Sequence, residues 1–351
     1  MNPFQFTRAT SPKGAVAAVA KEAGTYFLAG GTNLIDLMKR QVVIPERLVD
    51  INRLPLATIE KTAGGLRLGA LAKNSAVAEH PLVKKHAPLL AMALNAGASA
   101  QLRNMATVGG NMMQRTRCAY FYDPSMPCNK RGPVQAGPDK GQANGPTGCG
   151  AIGGANRMHA IFGTEAAGSS KASQCIAVHP SDMCIALVAL DATVNVTGPK
   201  GDRSIPFRDF HRLPGDAPQR DNTLLPGELI LSVDLPDNPF AEHSHYLKVR
   251  DRASYAFALV SVGVAVDLSG KRGGERTIQD IRLAMGGVAH KPWRLTEAER
   301  YLKGKPATEA HFRQAAQLAM AGAKGYGEND FKLTLAPNTL IDALKTATNI
   351  A

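Results

Sequence analysis

The sequence predicts an α+β protein of two or three subdomains, and three observations lead there. At 351 residues the chain exceeds what one simple core usually holds. Its first fifty residues read as strand, glycine turn, helix and strand, while its last hundred read as antiparallel strands followed by helices. Between these lies a Gly- and Pro-rich run around several cysteines that obeys neither period. A hydrophobic content of 44% with 20% charged residues is ordinary for a soluble globular protein.

The elements follow in chain order. TYFLAGGTNLIDLMKR gives an apolar strand at 26–29, a Gly-Gly turn, and a helix at 33–40 with apolar residues at helical spacing. RLVDIN returns as a short buried strand, and GGLRLGAL alternates as another. Residues 81–114 begin as an alanine- and leucine-rich helix, stop at the small-residue run GAS, and reach a second glycine turn, VGGN. The run RGPVQAGPDKGQANGPTGCGAIGG is too poor in apolar residues to pack a core of its own, and a loop of this length is functional or disordered. HPSDMCIALVALDATVNVTG reads as a helix, capped by Ser181 or Asp182, followed by a strand. SYAFALVSVGVAVDL alternates as a long strand with IQDIRLAMGGVAHKPWR as its neighbour, and helices are expected at 296–301, at 308–323 and from 338 onward. The domain boundary falls near 237–241, and no internal repeat is visible.

The charge balance narrows the function classes. A net charge of +12 suggests a nucleic-acid partner, but the basic residues are scattered, aromatics are 5%, and no Lys/Arg block exists. The same balance suits a holder of anionic cofactors, so no nucleic-acid partner is expected. The opening residues contain no apolar run long enough for a signal peptide or a membrane span, and no twin-arginine pair. Neither GxSxG nor HExxH occurs, and no catalytic residue is expected. His179 before Pro180 reads as a loop or capping histidine, and Lys248 as a solvent-facing strand lysine.

Two stretches and the cysteines bear on chemistry. AGGTNL (29–34) aims backbone N–H groups at an anion, with glycines that allow close approach, although an ordinary tight turn looks the same. ATVGGNMMQ (106–114) is a second glycine turn, with a hydroxyl and an amide for phosphate or ribitol. Cys118, Cys128, Cys149 and Cys175 are separated by nine, twenty and twenty-five residues. Those gaps match neither zinc fingers nor bacterial ferredoxins, so zinc, an iron–sulfur cluster and unrelated thiols all stay open. Arg115, Arg117, Lys130 and Arg131 are placed to offset the negative charge of a thiolate-bound cluster, or to solvate a loop. Cys184, in the apolar run MCIALVAL, reads as a small buried hydrophobe.

Taken in order, FLAGGTNL, GASAQLRNMATVGGN, HPSDM, PGELILSVDLP and YLKVRDRASYAFALVSVGVAV resemble the FAD-binding medium subunit of the molybdenum hydroxylases, the xanthine dehydrogenase family. The resemblance runs nearly end to end. RTRCAYFYD followed by PCNKR is most similar to the flavin and iron–sulfur subunit of bacterial periplasmic aldehyde oxidoreductases, which carry an additional four-iron–four-sulfur cluster. The loops before Cys149 and Cys175 are longer than in those enzymes. The beta subunit of hydroxybenzoyl-CoA reductase is a more distant relative and the competing reading, and a zinc-stapled scaffold without flavin is the non-catalytic one.

The resemblance implies an FAD-binding domain of the vanillyl-alcohol-oxidase type at 1–236, made of two α/β subdomains at about 1–55 and 56–236. An iron–sulfur loop would be inserted at about 115–178, and an α+β domain of the CO dehydrogenase flavoprotein type would follow at 237–351. It implies cluster ligands at Cys118, Cys128, Cys149 and Cys175. For FAD it implies Tyr26, Phe27, Leu28, Ala29, Gly30, Gly31, Thr32, Asn33 and Leu34 along the pyrophosphate and ribityl chain. Gly97, Ala98, Ala106, Thr107, Gly110, Asn111, Gln114 and Asp182 would lie nearby, with Leu229, Ile230 and Lys248 beside the ring. It further implies a large molybdenum-cofactor subunit and a small subunit with 2Fe-2S clusters as partners. The assembly would convert aldehyde and water to carboxylate, and this chain would pass electrons from FAD to a protein, quinone, oxygen or NAD acceptor. The compartment implied is the periplasm, reached with a signal-bearing partner, with the cytoplasm as the alternative.

Overall fold

The computed structural model describes residues 1–131, 148–164, 174–270 and 276–350. The expected iron–sulfur loop therefore falls partly outside the described residues, at 132–147 and 165–173.

Three sheets organise the described residues. The first is parallel and three-stranded, with Arg47–Asp50 between Gln5–Arg8 and Thr25–Leu28. The helix Pro12–Lys21 connects its outer strands; Ser11 caps it by accepting from Gly14 N at 3.1 Å, and proline opens its first turn, where no amide bond is lost. The second sheet is antiparallel in the order Ile59–Thr62, Gly65–Gly69, Leu229–Pro236, Thr193–Gly198, Gly201–Pro206. The third is antiparallel too, in the order Trp293–Arg294, Thr277–Gly286, Val260–Ser269, Ser244–Val249. Helices Thr296–Leu302, Glu309–Ala319 and Lys332–Thr348 follow it in the chain.

The helix Asp182–Ala189 joins the second and third sheets. Ser181 caps it, accepting from Cys184 N at 3.1 Å, and all eight of its residues are buried. A helix apolar all round belongs inside a core rather than on a surface. It shares one core with Leu68, Leu89, Leu94, Val194 and Val233. Ile185 reaches the third sheet where two strands carry glycine: a Cβ on Gly286 would stand 2.8 Å from Ile185 Cγ1 and 2.5 Å from Ser261 Oγ. A separate core of Val262, Val264, Ile281, Leu283, Phe312 and Leu340 lies between the third sheet and the closing helices.

Several elements depart from the sequence reading, each for a local reason. The single helix expected from residue 81 is split into Pro81–His86 and Pro88–Ala96, because Pro88 carries no amide to continue the first. VGGN is no turn but part of the helix Val108–Met112, capped by Thr107. The long strand begins at Val260 rather than 254, since Tyr255 sits at φ 51° in the left-handed region, which strand pairing excludes. The last helix starts at Lys332, six residues before the expected point, and takes Pro337 inside it.

Gly286→Ala should lower stability by about 1–3 kcal/mol, the usual cost of overpacking a filled core. Chemical denaturation of the purified protein checks this. An unchanged midpoint would show that Ile185 and Ser261 yield freely.

Candidate functional site

Two adjoining cavities lie beside the first glycine turn. One, of about 400 Å³, is walled by the strand Thr25–Leu28, the turn Ala29–Leu34, and Leu229 and Ile230 of the second sheet. The other, of about 620 Å³, is walled by Gly97, Ala98, Asn111, Gln114, Asp182 and Lys248, with Arg252 and Tyr255 also lining it. Thr32, Asn33, Ala106 and Gly110 line both and form the waist between them. Tyr26, Phe27, Leu28, Gly30, Gly31 and Thr107 belong to the first cavity alone. Every residue that the resemblance names for a flavin thus lines one cavity or the other. It does not bring them all together: Leu229 and Ile230 fall in the first, whereas Lys248 falls in the second.

The first turn is built for close approach. Gly31 has φ 72°, and a Cβ on Gly30 would stand 2.1 Å from Met105 O, so no larger residue fits there. Among the described residues, the amides of Gly31, Thr32 and Asn33 meet no acceptor. These are spare donors beside a cavity, the arrangement that an anionic oxygen satisfies. The second glycine segment behaves differently. Val108 N donates to Ala72 O at 3.0 Å, Gly109 N to Ala70 O at 2.8 Å, Gly110 N to Thr107 Oγ1 at 3.2 Å and Asn111 N to Thr107 O at 2.8 Å. Its amides are spent on the fold, and what it offers the cavities is a side-chain amide and a surface stripped of side chains.

Lys248 is not the solvent-facing lysine that strand alternation suggests. Its side chain is 3% exposed and donates to Asp182 Oδ2 at 2.8 Å and to Ala96 O at 3.0 Å. Tyr246, two residues earlier on the same strand face, donates to Asp182 Oδ1 at 2.7 Å. Asp182 is consequently neither the helix cap nor a free ligand group. Burial pushes its carboxyl up, and Lys248 and the Tyr246 hydroxyl pull it back.

The four cysteines converge although the chain between them is long. Cys128 and Cys149 pair as a short β-bridge, and Asn129 N donates to Gly148 O at 2.8 Å. Backbone amides turn toward the sulfurs: Tyr120 and Phe121 on Cys118, Lys130 and Arg131 on Cys128, Ala151, Ile152 and Ile176 on Cys149, and Ala177 on Cys175. The Cys175 thiol donates to Cys149, holding Cys149 down to about 6 and Cys175 well up, while burial raises Cys118 to about 11. His159 Nε2 lies 3.1 Å from Cys118 Sγ.

The four cations assigned to this region are mostly committed elsewhere. Arg115 Nε donates to Asp221 Oδ2 at 2.6 Å, and Lys130 pairs with the other oxygen of the same carboxylate. Those two cations hold Asp221 far below the ordinary carboxylate range despite its burial. Arg117 binds Asp36 at 3.2 Å, and Arg131 donates to the carbonyls of Tyr120, Phe121 and Asp123. Asp221, His159 and Tyr246 were missed in the sequence. Only Tyr246 had a signal there, its i, i+2 spacing from Lys248. Cys184 is fully buried as expected, yet its sulfur and the rings of His179 and His211 form a buried triple within 4.8 Å.

Known proteins share this architecture. Residues 2–238 match the model of the FAD binding domain in molybdopterin dehydrogenase, and residues 245–347 match the CO dehydrogenase flavoprotein C-terminal domain. The chain is 44% identical to the aldehyde oxidoreductase FAD-binding subunit PaoB of Escherichia coli over 99% of both chains. It is 28% identical to the glyceraldehyde dehydrogenase medium chain of Sulfolobus acidocaldarius, over 86% of this chain and 82% of that one. Among solved structures, a chain of CO dehydrogenase from Oligotropha carboxidovorans superposes with a TM-score of 0.73 at 21% identity, covering 100% of this chain and 99% of that one. No helix among the described residues is long and apolar enough to cross a membrane. With both family models covering nearly its whole length, the chain belongs to the FAD-binding medium subunits of the molybdenum hydroxylase family.

Proposed function

We propose that this chain is the flavin and iron–sulfur subunit of a three-subunit, molybdenum-dependent aldehyde oxidoreductase, through which electrons leave the assembly. The observation that carries this reading is the proximity, in one chain, of an amide-lined double cavity and four cysteines whose sulfurs face backbone N–H groups. The spare amides at Gly31, Thr32 and Asn33 suit a pyrophosphate, and the combined volume of the two cavities suits a dinucleotide rather than a mononucleotide. Asp182 and Lys248 are bonded to each other at the cavity wall, so their charges offset and Lys248 would orient the cofactor more than attract it.

We read the cysteine centre as the seat of a cluster rather than of a lone zinc ion. Amides directed at sulfur are what a low-charge iron–sulfur centre uses to stabilise its thiolates. When bound, the flavin would supply a two-electron store and the cluster a one-electron carrier. The chain's own residues would hold the diphosphate, seat the ring and direct amides at the sulfurs.

In this reading residues 1–236 bind the flavin, with the cysteine segment 115–178 inserted in them, and 237–351 form the C-terminal domain. A large molybdenum subunit and a small 2Fe-2S subunit are the partners, and the periplasm is the compartment. The identity shared with a named aldehyde oxidoreductase subunit supports the aldehyde reading over an aryl-CoA reductase.

An absorption spectrum of the purified complex, with iron, zinc and flavin quantified together, tests this. Zinc without iron, in colourless protein, overturns it. Cys118→Ser should deplete iron and leave flavin bound; unchanged iron would sink the ligand assignment. Gly30→Ala should weaken FAD binding by roughly tenfold or more, since the new methyl meets Met105 O at an overpacking cost of about 1–3 kcal/mol. Fluorescence titration of the apoprotein reads that loss, and iron should stay in place. Asp221→Asn should cost about 3 kcal/mol in denaturant unfolding, because Arg115 and Lys130 lose their shared carboxylate. A cost below about 1 kcal/mol would mean the pair is solvated like a surface bridge.

A further inference from the structure

Cys118 receives a second kind of donor, and it is held from the far end of the chain. His159 is 6% exposed, its Nε2 is 3.1 Å from Cys118 Sγ, and its Nδ1 is buried with no partner. A buried N–H left unbonded is rarer and costlier than a bare lone pair. On that ground we assign the proton to Nε2, aimed at the sulfur. That polarity suits a metal-bound thiolate, which can only accept.

The backbone that carries the ring is fixed from behind. The His159 carbonyl accepts from Lys332 Nζ at 2.9 Å and from Asn329 Nδ2 at 3.3 Å. Asn329 N also donates to Asn156 Oδ1 at 3.2 Å, and Asn156 Nδ2 donates to Tyr326 O at 2.8 Å. Both Asn329 and Lys332 are fully buried. Lys332 completes its contacts with Gly287 O at 2.7 Å, and among the described residues no carboxylate pairs with it. Burial, with Arg157 nearby, lowers the Lys332 ammonium to about 7, and negative charge close by would favour its charged form. A thiolate-bound cluster at Cys118 would provide that charge.

We propose that His159 is a positioning residue of the cysteine centre: it donates a hydrogen bond from Nε2 to the Cys118 sulfur and thereby favours the more negative, reduced form of the bound cluster. This rests on the cluster reading given above. A donor to sulfur stabilises added electron density there, and hydrogen bonds to the sulfurs are among the factors that set a cluster's potential.

The test uses the assembled complex as wild type, His159→Leu and His159→Gln. Iron and acid-labile sulfide are quantified first; then the reduced fraction of the cluster is read by electron paramagnetic resonance at one fixed solution potential. In His159→Leu the reduced-to-oxidised ratio should fall severalfold, and His159→Gln, which keeps a donor, should recover most of it while the flavin ratio stays constant. An unchanged ratio in iron-replete His159→Leu overturns the proposal. Should His159→Leu lose its iron, His159→Gln decides: iron retained at the wild-type ratio supports the donor role, and iron lost overturns it. Wild-type complex devoid of iron and sulfide overturns the cluster reading itself, so the two failures are told apart.

Discussion

A buried ion pair ties the halves of this molecule together. Asp182 opens the helix that sits in the main core, and Lys248 lies on an edge strand of the third sheet; their contact is 2.8 Å with both side chains under 10% exposed. Two charges withdrawn from water must satisfy each other's remaining hydrogen-bonding capacity or cost several kcal/mol. Here Tyr246 takes the second carboxylate oxygen and the Ala96 carbonyl takes another ammonium proton. The pair also lines the larger cavity, so the geometry that joins the domains is the geometry of the cavity wall. Moving one sheet relative to the other would break the pair and reshape the wall in the same step.

The cysteine centre follows a different logic. Its sulfurs come from stretches far apart in the chain, and the backbone rather than side-chain cations supplies most of their donors. Arginine and lysine nearby serve to fold the segment. Arg131 gathers the carbonyls of Tyr120, Phe121 and Asp123, and Arg115 and Lys130 are bound to the one carboxylate of Asp221. Arg115 additionally lies 4.6 Å over the Phe121 ring, closing a small apolar cluster that includes Leu37 and the flanks of Cys118 and Cys128. Formal charge counted along the sequence therefore overstates the positive field at the sulfurs.

Much of the architecture was legible because it rests on local pattern. The apolar alternation at 260–269 and 277–286, the Ser-capped run at 182–189 and the glycine turn at 30–31 each announce their element. The first strand and the helix Pro12–Lys21 were overlooked, the strand because its four residues are all exposed and show no alternation. Residues lining the cavities could be named only through the ordered motifs shared with a family, since no spacing rule links residue 26 to residue 248. Asp221 was illegible for a plainer reason: it lies about a hundred residues from Arg115 in a loop with no period, and only folding supplies its partners.

The waist formed by Thr32, Asn33, Ala106 and Gly110 has a consequence of its own. A guest long enough to reach both cavities would have each half tethering the other at high local concentration. Trimming either end would then forfeit more than that end's own contacts.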